Sequence, residues 1–495
     1  MIPATADARL DVLLRTAPWM PEDARAAERY ERVDHAVLDG TTLLLIVAAV
    51  GGPAAGRRFF VPVRADDADG PGDAGRFEEA HGSDTFDVAL VTRALTGGRL
   101  PTARGGTIEF RGPGRGPAEV RRLPFEQGWS SNALSLVDVA DTACIHKTYR
   151  RLDEPIHEPE LLRRMSGTGR TPQWMGDYAY VDPSGTARHP LGVVYRYVEG
   201  EGIDVPLRAN LRSMWSRVTG TGSPDGVVHA HLLPLEGALH TAGEFLRGFH
   251  RDLAQQLGGA SRYPVREALA DAAGRVDELD GRADALALPR TDHEAAFAVL
   301  RAELDDLEKV FDGAPPPEAR PCHGDLHLSH LLCATGEHPG AGWRMTVLDL
   351  STPALSPDDP RWAEQSPLQD LVALERALQY FAADEAAFES ARRLGVDSLE
   401  TMLAALHGAP HWSEERRVVV RRVFEAADAW RSRVLRLLLG AASDHPPGDP
   451  LRRLLYLRRL LHELAYNQAH ARPYHAAIDL RHARALVPSA PFARK

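Results

Sequence analysis

Cysteine is scarce in this sequence of 495 residues, which holds only Cys144, Cys322 and Cys333. These three form no CxxC pair, and such a low, odd count does not build a disulfide framework. The same count argues against a zinc site made of cysteine ligands. This usage is typical of a reducing compartment, so we expect a cytoplasmic protein.

Long apolar runs and an excess of positive charge are also missing. The longest apolar run, residues 43–50, is far shorter than the roughly 20 residues that a membrane helix needs. The first residues, MIPATADARLDVLL, lack the apolar segment of a secretory signal. Lys and Arg number 58 against 69 Asp and Glu, a formal charge of −11 without a basic stripe. We therefore expect no membrane partner, no nucleic-acid partner and a monomer or homodimer that binds a small molecule.

Two short motifs in the middle of the chain carry the clearest chemistry. The first is His323–His330, HGDLHLSH, which has the pattern of a loop leading into an apolar run. The second is the stretch Trp343–Leu350, which has the pattern of a buried strand that ends at Asp349. Asp325 alone would suit a solvated turn. Two carboxylates at this spacing favour phosphoryl transfer, in which one orients an alcohol and the other helps to hold Mg²⁺.

Upstream residues fit the phosphate-binding half of such a site. Lys147 lies among apolar neighbours in a predicted strand, Ala143–Tyr149, and a buried lysine needs an anion nearby. A helix is predicted to start at Glu158-Pro159-Glu160, where we expect Glu160 to pair with Lys147, with Glu158 as the next candidate. Both glutamates would also suit a helix N-terminus with no further role. An earlier loop offers the donors Ser130 and Ser131.

The C-terminal third is predicted to be helical. Ser366 and Pro367 have the pattern of an N-cap and first helical residue, which places Asp370 in the first turn. In the last long predicted helix, residues 451–471, one face carries Glu463, Tyr466 and Asn467. These three polar side chains would line a sugar pocket or lie in solvent, and the pattern leaves both open.

The sequence HGDLHLSHLL, followed by VLDL and by Ser366-Pro367-Leu368-Gln369-Asp370, resembles the aminoglycoside-phosphotransferase-like kinases. Within them it is most similar to the maltokinase branch, which also contains glucosamine kinases. The resemblance covers roughly residues 126–495. It implies an α+β, bilobal protein-kinase-like fold with an extra N-terminal cap module. The expected domains are 1–105 for the cap, 106–200 for the ATP-binding N-lobe and 201–495 for the helical C-lobe.

The resemblance also implies roles, with ATP and Mg²⁺ as cofactors. Asp325 would be the catalytic carboxylate, and Asp349 with His330 would bind the metal, although relatives place Asn or Gln at the position of His330. The residues that would contact ATP are Lys147, Glu160, Ser130, Ser131, Tyr195 and Tyr197, the last two through a hinge that bonds the adenine edge. The residues that would contact the sugar are His327, Asp370, Glu463, Tyr466 and Asn467.

The expected activity is an ATP-dependent sugar kinase. Glucosamine, phosphorylated at its 6-hydroxyl, is favoured as the acceptor because the chain departs from the maltokinase pattern at His330 and Ser351. Its ammonium group would meet Asp370 or Glu463. Maltose, phosphorylated at the anomeric oxygen, is the alternative. A catalytically silent nucleotide-binding pseudokinase is the alternative from another class, and intact Lys147, Asp325 and Asp349 argue against it.

Overall fold

A computed structural model of the chain describes residues 5–65, 77–114, 119–127, 132–153, 156–218, 223–257, 261–282, 288–334, 343–350, 365–446 and 448–486. Ser130 and Ser131, predicted to contact ATP, lie outside these ranges. The chain divides into two compact units, Met1–Glu199 and Gly200–Lys495. No helix of the described ranges has both the length and the apolar composition needed to cross a membrane.

The first unit is built on two antiparallel sheets. A four-stranded sheet has the order β1-β2-β3-β4, and a seven-stranded sheet has the order β5-β6-β10-β11-β9-β8-β7. The strands are β1 (Arg29–Val37), β2 (Thr42–Val50), β3 (Arg58–Ala65), β4 (Phe77–Glu79), β5 (Gly98–Pro101), β6 (Thr107–Arg111), β7 (Val120–Leu123), β8 (Ala133–Val139), β9 (Thr142–Thr148), β10 (Trp174–Val181) and β11 (Arg188–Arg196). The helices are α1 (Thr5–Thr16), α2 (Glu22–Arg25), α3 (Asp84–Thr96) and α4 (Glu158–Met165).

Helix α3 begins after a serine cap. Ser83 is its N-cap, and the serine hydroxyl accepts a hydrogen bond from the backbone N–H of Phe86. The helix ends at Gly97, whose φ of 77° is costly for any residue with a side chain. Between these ends, Phe86 and Leu90 point into the core.

One core joins residues from both sides of position 105, where the sequence suggested a module boundary. Leu44 and Phe60 of the four-stranded sheet share this core with Phe110 and Tyr178 of the seven-stranded sheet. The backbone also connects the two sheets, because the N–H of Phe60 donates to the carbonyl of Arg150, just beyond β9. Residues 1–105 are therefore part of the same folding unit as the strands that follow them.

The second unit is mainly helical. Its strands are β12 (Glu201–Gly202), β13 (Ser261–Arg262), β14 (Glu318–Ala319), β15 (Leu331–Ala334) and β16 (Arg344–Val347), in sheets of order β12-β15-β16 and β13-β14. Its helices are α5 (Asp204–Met214), α6 (Asp225–Leu232), α7 (Glu236–Leu257), α8 (Val265–Asp280), α9 (Arg290–Phe311), α10 (Pro367–Leu394), α11 (Ser398–His407), α12 (Glu414–Ala442), α13 (Pro450–Ala469) and α14 (Pro473–Arg484).

Helix α10 runs through the middle of this unit and is buried along most of its length. Its start is the predicted one: Ser366 and Gln369 form a capping box, and Pro367 is the first helical residue. Its end is Gly395, in the left-handed conformation. Helix α10 packs against α11, α12, α13 and α14. This packing holds its first turn, which carries Asp370, in place.

Candidate active site

The loop between β14 and β15 carries the HGDLHLSH motif. It contains Gly324 at φ 89°, a left-handed conformation that favours glycine, and ends in a single 3₁₀ turn, Leu328–His330. The hairpin of β15 and β16 then returns the chain to Asp349. Asp349 itself has φ 54°, which is uncommon for a residue with a side chain and is found mostly where surrounding structure enforces it.

Asp370 holds this loop from behind. Its Oδ2 accepts the backbone N–H of His323 at 2.8 Å, and its Oδ1 accepts that of Gly324 at 2.9 Å. The Nε2–H of His250, on α7, also donates to Oδ2 at 2.8 Å. The prediction that Asp370 meets the acceptor is wrong, because the side chain is 1% exposed and its oxygens are committed to the loop. Its function is to fix the backbone next to Asp325.

Asp325 presents a half-buried carboxylate. The Nε2–H of His327 donates to its Oδ1 at 2.9 Å. Burial opposes ionisation of this carboxyl, but the His327 hydrogen bond and the charges of His327, Arg459 and His323 outweigh it and lower the pKa to about 2. Asp325 is therefore an ionised hydrogen-bond acceptor at neutral pH. His327, predicted to contact the sugar, lies beside the carboxylate that would bind the reacting hydroxyl.

His323 connects the loop to the end of the hairpin that carries Asp349. Its Nε2–H donates to the carbonyl of Leu348 at 2.8 Å, and its Nδ1 accepts the backbone N–H of Asp325 at 3.3 Å. One imidazole therefore bonds to the backbone of Asp325 and to the backbone of the residue before Asp349. This bridge fixes the spacing between the two acidic residues.

His330 and Asp349 form the candidate metal pair. The Nε2 of His330 lies 3.6 Å from Oδ2 of Asp349, and its Nδ1 lies 3.0 Å from the carbonyl oxygen of Asp325. Since a carbonyl only accepts, the proton sits on Nδ1 and Nε2 keeps its lone pair. Burial and the neighbouring His323 lower the pKa of His330 to about 4, so the ring is neutral at pH 7. A neutral imidazole with its second nitrogen bonded in this way is the usual form of a metal ligand.

Whether these residues fit Mg²⁺ can be judged from the donor set. In the described ranges no group of three or more His, Cys, Asp or Glu side chains is arranged to hold a metal. A pair is the number expected when Mg²⁺ keeps waters and takes further oxygens from phosphates. Asp349 supplies the oxygen that Mg²⁺ prefers, while His330 supplies a nitrogen, which Mn²⁺ tolerates better. The pair therefore fits a divalent cation shared with a nucleotide.

Lys147, in the first unit, pairs with Glu158. The Nζ of Lys147 lies 2.7 Å from Oε2 of Glu158, and both side chains are almost fully buried. The prediction that Glu160 is the partner is wrong, because Glu160 points to the surface and bonds to Arg163 and Arg164. Glu158 is the first residue of α4, so its carboxylate faces β9, whereas Glu160 lies two positions further round the helix. The second candidate from the sequence is thus the one placed against the lysine.

The predicted hinge is only partly consistent with the structure. Tyr195 lies in β11 and pairs with Ile145 and Trp174 on either side. The backbone N–H of Tyr197 donates to the carbonyl of Ala143 at 2.9 Å, so this N–H is not available to an adenine ring. An adenine contact in this segment would have to use another backbone group.

The polar face of α13 lines a cavity of about 230 Å³ in the second unit. Glu463, Tyr466 and Asn467 all reach it, as the helical spacing predicted. The lining residues are Tyr380, Arg459, His462, Glu463, Tyr466, Asn467, Arg472 and His475. The charge of Arg459 also lowers the pKa of Asp325.

The polar groups of this cavity differ in how much they are already engaged. Glu463 accepts hydrogen bonds from Arg376 at 2.8 Å and from Arg459 at 2.7 Å. Asn467 is 4% exposed and donates to Tyr380 and to Asp479. The carboxylate proposed for an ammonium is thus already neutralised by two guanidinium groups. Tyr466 is 46% exposed and offers ring surface.

Sequence analysis missed His250 and Arg459. His250 lies on an amphipathic helix where a packing role was the simplest interpretation, and its partner Asp370 is 120 residues away. Arg459 precedes Glu463 by four residues on the same helix, a spacing typical of an ion pair. That spacing was the one local signal available for either residue.

Comparison with protein-family models gives no match, and comparison with curated proteins gives none. Solved structures do match. Glucosamine kinase in crystal form A is 19% identical, with a TM-score of 0.57, over 98% of this chain and 99% of that one. Crystal form B has the same identity and TM-score over 95% and 97%. Glucosamine kinase in complex with glucosamine, ADP and inorganic phosphate is 20% identical, with a TM-score of 0.56, over 96% and 99%.

These likenesses extend over nearly the full length of each chain and establish the fold. The predicted α+β, kinase-like fold with two lobes is confirmed. The N-terminal region is part of what is shared, since almost the whole of this chain is covered.

Proposed function

We propose that the chain is an ATP-dependent kinase that transfers the γ-phosphoryl group to a hydroxyl of a small sugar, with glucosamine as the acceptor. One observation carries the proposal. Asp370 anchors the loop of Asp325 through the backbone N–H groups of His323 and Gly324, and the same loop carries His330, whose Nε2 is 3.6 Å from Oδ2 of Asp349. An anchored anion beside a two-residue metal pair is the arrangement that phosphoryl transfer to an alcohol requires.

Asp325 binds and orients the acceptor hydroxyl. Its lowered pKa keeps the carboxyl ionised, so its oxygen can accept the hydrogen bond of the acceptor hydroxyl and take up the proton as the new O–P bond forms. That bond forms as the bond between the γ-phosphorus and the bridging oxygen of ADP breaks. The alcohol proton passes to Asp325 and then to solvent, and ADP leaves with the electron pair of the broken bond.

The other residues handle phosphate charge. Asp349 and His330 would hold Mg²⁺, which neutralises charge on the phosphate oxygens when it is bound. Lys147 would donate to phosphate oxygens of ATP while Glu158 keeps its side chain extended from β9. In this proposal Lys147 and the bound cation supply the positive charges that act on the phosphate oxygens.

Two facts support a monosaccharide acceptor and, within that class, glucosamine. The cavity on α13 measures about 230 Å³, below the roughly 300–1,000 Å³ that drug-sized ligands occupy, which suits one sugar ring better than two. A glucosamine kinase of the same fold has been solved with glucosamine and ADP bound. The cavity offers donors from Arg459 and Arg472 and ring surface from Tyr466, which together suit hydroxyl-rich molecules.

The test is ADP release in the presence of ATP and Mg²⁺ with glucosamine, glucose, maltose and an aminoglycoside. We expect turnover with glucosamine, and a loss of about 10²–10⁴-fold in kcat in D325N with ATP binding retained. Preferred turnover of maltose would replace glucosamine with the alternative acceptor. ATP binding without turnover of any acceptor would make the chain a pseudokinase and contradict the proposal.

A further inference from the structure

Tyr149 is a third member of the Lys147–Glu158 pair. Its hydroxyl donates to Oε2 of Glu158 at 2.7 Å, the same oxygen that lies 2.7 Å from Nζ of Lys147. The lysine Nζ also lies 5.7 Å from the centre of the Tyr149 ring. The relative exposures of Lys147, Tyr149 and Glu158 are 5%, 3% and 2%, so little water competes for these bonds.

The backbone explains why the tyrosine reaches this position. Lys147 and Tyr149 are two residues apart, and side chains two apart in a strand point to the same face of the sheet. Although β9 ends at Thr148, the N–H of Tyr149 donates to the carbonyl of Leu191 at 2.9 Å, which continues the ladder to β11. The N-cap residue of α4, His157, makes no side-chain capping bond. The start of this short helix is therefore held to β9 through Glu158.

The Tyr149 hydroxyl changes how strongly Glu158 attracts the Lys147 ammonium. A buried carboxylate whose only donor is an ammonium pulls that ammonium strongly and leaves it less able to donate elsewhere. A second hydrogen-bond donor to the same oxygen, here the Tyr149 hydroxyl, weakens the attraction between the carboxylate and the ammonium. It also keeps Glu158 in place when the ammonium turns part of its hydrogen-bonding capacity to phosphate.

We propose that Tyr149 is a positioning residue for nucleotide binding: it holds Glu158 so that the carboxylate orients Lys147 and the lysine can donate to the phosphates of ATP. The proposal rests on the proposed function for its kinetic consequences. It concerns the ATP side of the reaction alone, so the acceptor should be bound as before when the hydroxyl is removed.

The decisive variant is Tyr149→Phe, which removes the hydroxyl and keeps the ring near Lys147. We expect KM for ATP to rise about fivefold to tenfold, in line with one lost hydrogen bond to a charged group. We expect kcat to change less than threefold, roughly, and KM for the acceptor to stay as it was. An unchanged KM for ATP in a folded Y149F protein would overturn the proposal.

Tyr180→Phe is the matched control. Tyr180 is equally buried in the same sheet, and its hydroxyl donates to Asp34 at 3.0 Å, away from the lysine pair. Y180F should lower the melting temperature as much as Y149F does and leave KM for ATP unchanged. Equal rises of KM for ATP in Y149F and Y180F would mean that the effect is general loosening of the sheet.

A double-mutant cycle with Glu158→Gln separates positioning from packing. If Tyr149 acts through Glu158, adding Y149F to E158Q should raise KM for ATP no further. Multiplied effects would contradict the proposal. Should Y149F fail to fold, fluorinated tyrosines at position 149 vary hydroxyl donor strength without changing the ring shape, and KM for ATP should follow that strength.

The experiment also separates this proposal from the proposed function. ATP binding measured by calorimetry with Mg²⁺ does not depend on turnover. If no sugar is phosphorylated, the proposed function fails, while weaker ATP binding by Y149F than by Y180F would still support the positioning role. If sugar is phosphorylated and the two variants bind ATP equally well, only the positioning role fails.

Discussion

The Nδ1 nitrogen of His330 lies 3.0 Å from the backbone carbonyl oxygen of Asp325, five residues earlier in the same loop. This bond fixes the ring and its tautomer, and it leaves the other nitrogen facing Asp349. Histidines that bind metals usually have their other ring nitrogen bonded in this way, so this geometry is compatible with the proposed role of His330 as a metal ligand.

We predict that H330A raises the concentration of divalent cation needed for half-maximal activity by about tenfold or more. H330N should keep much of the activity with Mg²⁺, because an amide offers the oxygen that Mg²⁺ prefers, and should lose relative activity with Mn²⁺. The measurement is kcat against the concentration of each cation. The same cation dependence in H330A and the parent would remove His330 from the metal site.

Glu158 and Glu160 form a natural pair of test and control on one helix. E158Q should raise KM for ATP about tenfold, since it removes the charge that orients the buried Lys147. E160Q should behave like the parent, because Glu160 forms only exposed pairs with Arg163 and Arg164, which contribute little. A larger loss in E160Q would restore the partner predicted from sequence.

Asp370→Asn should lower kcat about tenfold or more, because the amide keeps one acceptor oxygen and its nitrogen cannot accept the second of the two backbone N–H groups, those of His323 and Gly324. KM for ATP should change little. Glu385→Gln is the control: Glu385 is buried on the same helix but pairs with Arg208 and Arg212. It should cost stability and leave kcat near the parent value, and equal losses of kcat in both variants would indicate a general effect of α10.

Neutralising Glu463 tests how the acceptor is recognised. Because this carboxylate already accepts from Arg376 and Arg459, E463Q should lower kcat/KM for glucosamine and for glucose by the same factor. The comparison of the two sugars in parallel assays is the measurement. A selective loss for glucosamine would show that Glu463 meets the ammonium group after all.

Glu79 should make the free energy of unfolding depend on pH in the acidic range. Burial raises its pKa, but hydrogen bonds from His81 and Trp19 and the charges of His81 and Arg150 lower it from 4.5 to about 2. A carboxyl with a depressed pKa stabilises the fold above its unfolded pKa and loses that contribution as the pH falls toward its folded pKa. The deficit of E79Q, about 2 kcal/mol at pH 7, should therefore shrink between pH 4.5 and pH 2.

Denaturant unfolding of E79Q and the parent at several pH values checks this. Glu78→Gln serves as the control, because Glu78 is about half exposed and its nearest cation, Arg64, is 3.3 Å away. E78Q should differ little from the parent at any pH. A deficit in E79Q that stays constant down to pH 2 would mean that Glu79 acts by shape and not by charge.

The local sequence pattern was sufficient to predict the structure where the interacting residues are neighbours in sequence. The start of α10 depends on Ser366, Pro367 and Gln369, all within one turn, and it lies where it was predicted. The loop of Asp325 could be identified because its motif is contiguous.

The other features of the site depend on interactions between residues that lie far apart in the sequence. The sequence could not show that the carboxylate of Asp370 accepts hydrogen bonds from the backbone of residues 323 and 324, which lie 46 to 47 positions earlier. Nor could it show that Arg376 donates to Glu463, which lies 87 positions later. The choice between Glu158 and Glu160 depends on how α4 is rotated against β9, which tertiary packing sets. Local patterns identified the residue types of the site, but not which of them were already engaged.

The core that Phe60 shares with Phe110 and Tyr178 makes residues 1–105 part of the same interior as the sheet that carries Lys147. A protein shortened to begin at residue 106 would expose this interior to water, so we expect the sheet that carries Lys147 to unfold. The inactivity of such a shortened protein would therefore say nothing about catalysis.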